Sequence, residues 1–302
     1  MKPPHFSPDP RVPYMEVVGR LQSIRWGKFY RLGFVSGYPL WMWQYSPSQP
    51  ARKIHLSAGI HGDEPGGVEC VLALLEDRPA WLTGFELTVF PCLNPWGYEH
   101  NTRTNQRGKD VNRQWRRKDC KEIGFVHRAL RNKQFDLSIG LHEDYDATGF
   151  YIYELVRGIS VLGGPSSSCW RSLQTARKPP LTLPIGKGEK EGVFLGPTLS
   201  WNTNSSKMRT MFGPRIIKAV SRFIPIERRQ QIEGRRAQRG VLTRPTQSIH
   251  HRRHWPEALY QIVHHANHTL TMETPTSLPI EKRVRAHIEG VHTALKFLRC
   301  KS

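Results

Sequence analysis

The strongest constraint on the fold is a strand-like segment that runs directly into a helix-like one. Residues 54–60 alternate roughly as a β-strand does, and residues 66–75 have helical spacing. Pro65 between them suits a first helical position, where a missing N–H donor costs little. The connection is His61-Gly62-Asp63-Glu64, so an imidazole and a carboxylate leave the end of one strand together. This pattern is typical of the strand-to-helix units from which α/β domains are built.

Further strand and helix signals alternate along the chain in the same manner. Strands are predicted at residues 41–45, 85–93, 135–141, 150–153 and 268–272. Helices are predicted at residues 122–133, 214–220 and 279–298. This alternation predicts an α/β fold, with helices covering the faces of a sheet.

The positive charge of the chain is concentrated in one region. The formal net charge is +20, and residues 156–253 hold 19 Lys and Arg against 4 Asp and Glu. No helix-turn-helix, zinc-finger or RNA-binding strand pattern accompanies this charge. A solvated basic segment is therefore favoured over a specific nucleic-acid site, although a polyanion-binding protein stays an alternative from a different class.

Other features of the sequence bear on the location of the protein. No apolar run approaches the roughly 20 residues that a membrane span needs, and the first residues lack the apolar core of a secretory signal. The five cysteines are scattered and odd in number, which is typical of reduced thiols. These features predict a cytoplasmic protein without a membrane span.

Two further polar residues fall at predicted strand ends, where open α/β sheets carry their sites. His142 follows the strand at residues 135–141, and Glu273 follows the last predicted strand. The spacing of His61 and Glu64 alone also fits a polar turn with a helix cap. Together with His142, however, they make a His, Glu, His set suited to a hydrolytic zinc ion. Glu273 is then the candidate base beside the attacking water.

Polar loops follow the strand at residues 85–93 and contain further candidate groups. The segments 94–103 and 110–115 supply asparagines and arginines, which suit an anion-binding pocket. One of the acids directly after His142, at positions 143, 144 or 146, is a candidate to orient an imidazole, and a solvated turn is the alternative. Tyr151 and Tyr153 lie on one face of a strand and are interpreted as packing residues.

Six sequence blocks occur in a characteristic order along the chain. They are H-G-D-E-P, N-P-x-G, N-T-R, D-V-N-R-x-W, L-H-E-D and a late E-T-P. This set resembles the zinc carboxypeptidases of the carboxypeptidase A type. It is also similar to their smaller bacterial branch, close to the succinylglutamate desuccinylase and aspartoacylase deacylases. The resemblance covers about residues 50–155 and 213–298, and it implies a mixed, twisted eight-stranded sheet flanked by helices.

The resemblance implies a role for each residue that matches a block. His61, Glu64 and His142 match the ligands of one zinc ion. Glu273 matches the general base, which also shuttles the proton to the leaving group. These implied roles agree with those suggested by the positions of the residues at strand ends.

The remaining implied roles concern the substrate. Arg103 matches the arginine that polarises the scissile carbonyl, and Asn112 and Arg113 match the pair that binds the terminal carboxylate. The implied activity is that of a zinc metallocarboxypeptidase, acting on a peptide with a free carboxylate. A zinc deacylase of N-acyl amino acids, using the same residues, is the nearest alternative, and an inactive relative is another.

The resemblance also suggests a division of the chain. Residues 1–50 are predicted to form an N-terminal extension with the first strands, and residues 51–300 the zinc carboxypeptidase-like catalytic domain. Residues 156–210 match no block and form a divergent, basic segment within that domain. A long stretch without periodicity suits a lid or an insertion.

Overall fold

The computed structural model describes residues 11–117, 119–157, 211–243 and 253–300. Almost all of these belong to the compact unit that residues 1–161 and 212–302 form. The divergent segment at residues 156–210 lies outside the described residues from position 158 onward. The proposed division of the chain therefore stays a prediction.

Ten strands lie in the described part of the chain. They are β1 (Lys28–Val35), β2 (Tyr38–Tyr45), β3 (Lys53–Ser57), β4 (Glu86–Phe90), β5 (Leu137–Asp144), β6 (Tyr151–Val156), β7 (Gln231–Ile232), β8 (Arg235–Arg236), β9 (Val241–Leu242) and β10 (His268–Pro275). Eight of them form one sheet in the order β1-β2-β4-β3-β5-β10-β6-β9. Its middle strands β4, β3, β5 and β10 are parallel, whereas β1, β2 and β6 pair antiparallel. The expected mixed eight-stranded α/β sheet is confirmed.

Helices cover both faces of this sheet. They are α1 (Tyr14–Ser23), α2 (Pro65–Asp77), α3 (Pro95–Glu99), α4 (Lys121–Leu130), α5 (Gly213–Val220), α6 (Glu257–His264) and α7 (Ile280–Arg299). Buried apolar residues of α1, α2, α5 and α7 share one hydrophobic cluster with the sheet, and those of α4 and α6 share another. Burial of apolar surface on both faces leaves the strand ends as the place for polar groups.

The predicted elements are present, with ends that shift for identifiable reasons. The strand predicted at residues 85–93 ends at Phe90, because Pro91 has no N–H to donate to a ladder. The strand predicted from residue 54 ends at Ser57, and Gly59 beyond it has a φ of 59°, which favours glycine. Strands β1, β7, β8 and β9 and helices α1, α3 and α6 were not predicted.

Two smaller findings concern cysteines and helices. The four cysteines at described positions are free thiols, three of them buried. No helix in the described part of the chain is long and apolar enough to cross a membrane.

Candidate active site

The candidate site lies where three adjacent parallel strands end. β3 pairs with β5, and β5 pairs with β10, so their carboxyl ends meet at one edge of the sheet. His142 near the end of β5 lies directly opposite Glu273 of β10 in this register. Side chains at paired positions of adjacent strands point to the same face, so the sheet brings these two groups together.

The turn after β3 brings in the other two groups. Gly59 has a positive φ, and an added Cβ there would lie 2.9 Å from Cys92 Sγ. Both facts favour glycine at this position. At Gly62 an added Cβ would lie 1.9 Å from the carbonyl carbon of Gly97, so no larger residue fits there. Helix α2 then begins at Pro65. The turn thus holds His61 and Glu64 against the end of β5.

His61, Glu64 and His142 converge, and each is no more than 3% exposed. One possible ligand atom from each lies within 4.8 Å of the other two. Glu64 Oε1 is 2.6 Å from His61 Nδ1, and Glu64 Oε2 is 2.9 Å from His142 Nδ1. Two imidazole nitrogens and a carboxylate are ordinary zinc ligands, and three protein ligands leave a position for water. The residues present therefore fit a catalytic zinc ion.

The same convergence shifts the pKa values of these groups in the metal-free protein. Burial lowers the pKa of His61, but attraction to Glu64 and hydrogen bonds with Asp110 and Glu64 outweigh it and raise that pKa to about 9. Burial opposes ionisation of Glu64, yet both imidazoles hold its pKa well below the usual range. Burial dominates at His142 and lowers its pKa. Glu64 is therefore a carboxylate at neutral pH, ready to bind a cation.

Glu273 is buried beside this group, at 9% exposure. Burial, followed by the negative charges of Glu64 and Asp144, raises its pKa well above the usual range. Arg103 acts in the opposite direction. A carboxyl group in such a setting can accept and return a proton, which a general base requires.

Arg103 lies at the mouth of the site, and its side chain is 44% exposed. Its Nη1 is 3.4 Å from Glu64 Oε1, and its Nε is 3.4 Å from Asp110 Oδ2. Asp110 also contacts His61 Nε2 at 3.3 Å and accepts a hydrogen bond from the backbone N–H of Asn112 at 2.8 Å. Asp110 thus connects the candidate ligand His61 to Arg103. Asp110 was not singled out from the sequence.

Two of the acids that follow His142 have partners other than the candidate imidazole ligands. Glu143 accepts a hydrogen bond from Arg283 at 2.8 Å. Asp144 accepts one from the hydroxyl of Tyr151 at 2.8 Å. The acid that contacts the His61 ring through its side chain, besides Glu64, is Asp110.

Asn112 and Arg113 lie in a single 3-10 turn, Val111–Arg113. The side-chain oxygen of Asn112 accepts a hydrogen bond from the backbone N–H of Glu257, 2.8 Å away at the start of α6. Its Nδ2 is the group that can donate to a ligand. Arg113 Nη1 donates to the carbonyl of Asn112 at 3.2 Å. The turn thus presents an amide and a guanidinium together, and both groups suit a carboxylate.

One cavity of about 370 Å³ unites these residues. All seven predicted site residues line it: His61, Glu64, Arg103, Asn112, Arg113, His142 and Glu273. Tyr151 and Tyr153, interpreted from the sequence as packing residues, line it as well, as does the buried Glu257. A cavity of this size holds a small ligand of the dimensions of an amino acid or a dipeptide.

Comparisons with known proteins agree with this architecture. Residues 50–150 match the model of the succinylglutamate desuccinylase/aspartoacylase catalytic domain. None of the curated proteins compared matches the chain by sequence.

Solved structures share the fold over nearly the whole chain. A candidate metallopeptidase from Shewanella amazonensis is 17% identical, with a TM-score of 0.65 over 94% of this chain and 92% of that one. A metallo-carboxypeptidase from Burkholderia cenocepacia is 16% identical, with a TM-score of 0.60 over 96% of this chain and 69% of that one. A metallo-carboxypeptidase from Pseudomonas aeruginosa, in complex with (2-guanidinoethylmercapto)succinic acid, is 16% identical, with a TM-score of 0.57 over 94% and 68%.

The family match and the shared fold bear on the same part of the molecule. The matched residues 50–150 contain the turn after β3, the 3-10 turn Val111–Arg113 and the end of β5. The fold adds the strand that carries Glu273. Together these findings show that the chain has the fold of solved metallo-carboxypeptidases, and that residues 50–150 match the succinylglutamate desuccinylase/aspartoacylase catalytic domain.

Proposed function

We propose that this protein is a zinc-dependent carboxypeptidase, which hydrolyses an amide bond next to a free carboxylate. The observation that carries the proposal is the convergence of four buried groups at one cavity, namely His61, Glu64, His142 and Glu273. A carboxylate anchor, formed by Asn112 and Arg113, lines the same cavity. A candidate metal site, a candidate base and an anchor in one cavity are the parts that this reaction needs.

The proposed ligands of one zinc ion are His61 Nδ1, His142 Nδ1 and a Glu64 oxygen. Bound zinc would lower the pKa of a water molecule to about 7 and polarise the scissile carbonyl. The same nitrogens lie 2.6 and 2.9 Å from the Glu64 oxygens, so the three proposed ligands are already grouped around one point.

The protein groups around the cavity supply the remaining chemistry. Glu273 takes the proton of the attacking water and passes it to the leaving amine, a cycle suited to a buried carboxyl with a raised pKa. Arg103 stabilises the negative charge that develops on the carbonyl oxygen. Asn112 and Arg113 bind the free carboxylate, which positions the bond for attack.

A deacylase that releases a small acyl acid from an N-acyl amino acid is the second candidate. The match of residues 50–150 to the desuccinylase/aspartoacylase catalytic domain favours it. The Pseudomonas relative is in complex with a succinic acid derivative, whose carboxylates resemble those of either substrate class. Both reactions would use the same residues, so only the products distinguish them. A cytoplasmic location stays a prediction for either reaction.

The decisive experiment removes the proposed base. Glu273→Gln keeps the shape of the side chain but cannot accept a proton, so we expect turnover to fall roughly 10²- to 10⁴-fold. The zinc content, measured by mass spectrometry, should stay at one ion per chain. Release of C-terminal residues from peptides is measured beside release of acyl acids from N-acyl amino acids.

Glu281→Gln provides the control, because it makes the same change at an exposed position on α7. It should hydrolyse substrate like the unmodified protein. Full activity of the Glu273→Gln variant, at unchanged zinc content, would overturn the proposed role of this residue.

A further inference from the structure

The turn that carries His61 and Glu64 packs closely against helix α3. An added Cβ at Gly62 would lie 1.9 Å from the carbonyl carbon of Gly97 and 2.2 Å from the backbone nitrogen of Tyr98, so the two backbones are in contact there. Within the turn, the N–H of Glu64 donates to the carbonyl of His61 at 3.4 Å. This distance is longer than that of an ordinary amide hydrogen bond, so the turn depends on its neighbours for rigidity.

Arg11 provides such support from the N-terminal segment. Its Nη1 donates to the carbonyl of Gly62 at 3.2 Å and to that of Tyr98 at 3.0 Å. Its Nη2 donates to Asn101 Oδ1 at 2.5 Å, and its guanidinium lies 5.7 Å from the centre of the Tyr98 ring. A planar guanidinium holds its donors in a fixed arrangement, so this one side chain connects the turn to α3 and to the residue beyond it.

The carbonyl that Arg11 binds lies between the two candidate ligands of the turn. Gly62 directly follows His61 in the chain and precedes Glu64 by two residues. A rotation of this peptide group would move both side chains, whose Nδ1 and Oε1 atoms lie 2.6 Å apart. Metal sites tolerate changes of only about 0.2 Å in ligand distance, so a fixed peptide group at Gly62 favours metal binding.

The segment that carries Arg11 is itself anchored on the protein. The backbone N–H of Tyr14 donates to Glu99 Oε2 of α3 at 2.6 Å. The Tyr14 hydroxyl donates to the carbonyl of Pro39 on β2 at 2.7 Å, and the Tyr14 side chain is buried. Arg11 therefore reaches the turn from a fixed point of the backbone.

The charge of Arg11 by itself would oppose metal binding. A cation near a metal site repels zinc, so a role through charge alone predicts tighter zinc binding when Arg11 is removed. A role through the position of the turn predicts weaker binding. The two roles therefore differ in the sign of one measurable change.

We propose that Arg11 is a positioning residue of the zinc site, which holds the peptide group of Gly62 and, through it, the ligands His61 and Glu64. The inference rests on the proposed function, since it requires a metal ion at these ligands. It also gives the N-terminal segment, predicted as an extension of the catalytic domain, a part in the site.

The test compares zinc affinities, measured by competition with a chelator on the full-length, folded protein. Arg11→Met removes the guanidinium but keeps a long side chain, and we expect zinc binding to weaken roughly 10-fold. Arg11→Lys keeps the charge on a single donor group and should recover part of this loss. Unchanged or tighter zinc binding in Arg11→Met would overturn the inference.

Arg20→Met is the matched control, because it makes the same chemical change on helix α1 of the same segment. Arg20 donates to Glu69 and Glu76 of helix α2, with each bond 2.8 Å long. The Arg20→Met variant should keep its zinc affinity, since the bond from Arg11 to Gly62 is intact. Equal weakening of zinc binding in the two variants would indicate a general loosening of the segment and contradict a specific role for Arg11.

Hydrogen exchange on the metal-free protein separates this inference from the proposed function. If the unmodified protein binds no zinc, the proposed function fails, and exchange of the amides at residues 60–64 decides whether Arg11 holds the turn. These amides should exchange roughly 10-fold faster in Arg11→Met than in Arg20→Met, because the turn opens more often without its hydrogen bond. Equal exchange in the two variants would refute the inference.

Discussion

Two buried glutamates, Glu64 and Glu143, lie side by side but have different partners. Glu64 belongs to the candidate metal site, whereas Glu143 makes structural contacts beneath it. Each is 2% exposed, and the backbone N–H of Glu143 donates to Glu64 Oε2 at 3.2 Å. Similar burial would impose a similar cost on each charge. Their hydrogen-bond partners differ, and we therefore expect their roles to differ.

Glu143 is satisfied entirely by the protein. It accepts hydrogen bonds from Arg283 at 2.8 Å, from the backbone N–H of Gly66 at 3.0 Å and from the Thr274 hydroxyl at 3.3 Å. An arginine is a permanent cation, so its side of the pair does not depend on pH. Burial raises the pKa of Glu143, and the charge of Arg283 opposes that rise. The contacts connect β5, β10, α2 and α7, which makes Glu143 a structural support beneath the site.

Glu64 contacts two imidazoles, which are cations only when protonated and are otherwise metal ligands. It also contacts Arg103 at 3.4 Å, but that side chain is 44% exposed, whereas Arg283 beside Glu143 is buried. A buried acid whose closest partners can exchange a proton for a metal is therefore a candidate metal ligand, and one paired with a buried arginine is a structural group.

The largest expected effect comes from exchanging each acid for its amide. Glu64→Gln removes one ligand and the charge that attracts a cation, so we expect loss of bound zinc and of all hydrolysis. Glu143→Gln makes the same chemical change on the adjacent residue and should still bind zinc. Metal content and activity are measured on both variants. Equal loss of zinc from the two would contradict the distinction between them.

The next effect concerns stability rather than metal. Arg283→Met leaves Glu143 buried without its cation, which should lower the free energy of unfolding by about 3–5 kcal/mol. Urea unfolding of the metal-free protein measures this change. The double variant Arg283→Met/Glu143→Met removes both charges and should recover part of the loss. A decrease of less than about 1 kcal/mol in the free energy of unfolding of the single variant would show that the pair contributes little to stability.

A smaller effect is expected at Asp110, which contacts the ring of His61 on the side away from Glu64. Asp110→Asn should weaken zinc affinity roughly 10- to 100-fold, because the acid fixes the ring and increases its basicity. Zinc affinity is measured by competition with a chelator. Asp136→Asn is the matched control, since Asp136 accepts an exposed hydrogen bond from the backbone of Lys53. Unchanged zinc affinity in Asp110→Asn would show that Asp110 only stabilises its loop.

Much of the framework and the candidate ligands could be predicted because their signals are local. The alternation in residues 54–60, the helical spacing after Pro65 and the polar residues at strand ends each occupy a few adjacent positions. Helix α6 was not predicted, because its amphipathic pattern is weaker than that of the equally short α5, which was predicted. Segment ends shifted where a proline or a glycine interrupted the ladder.

Glu257 shows why the rest could not be predicted. It is separated from Asn112 by 145 positions in the chain, yet its backbone is bonded to that side chain. Burial raises the pKa of its carboxyl group to about 7, and a hydrogen bond with Ser57 and the charge of His61 oppose that rise. None of these relations leaves a pattern in adjacent residues. The same holds for Asp110, whose contact with His61 spans 49 positions.

The sequence by itself determined the α/β class, the strand ends and the kinds of groups placed there, because backbone preferences and apolar periodicity act over short distances. Only the tertiary structure decided which acid lies between two imidazoles and which one pairs with an arginine. These outcomes depend on burial and on partners from distant segments, and a carboxylate acquires its role only when folding has removed water from around it.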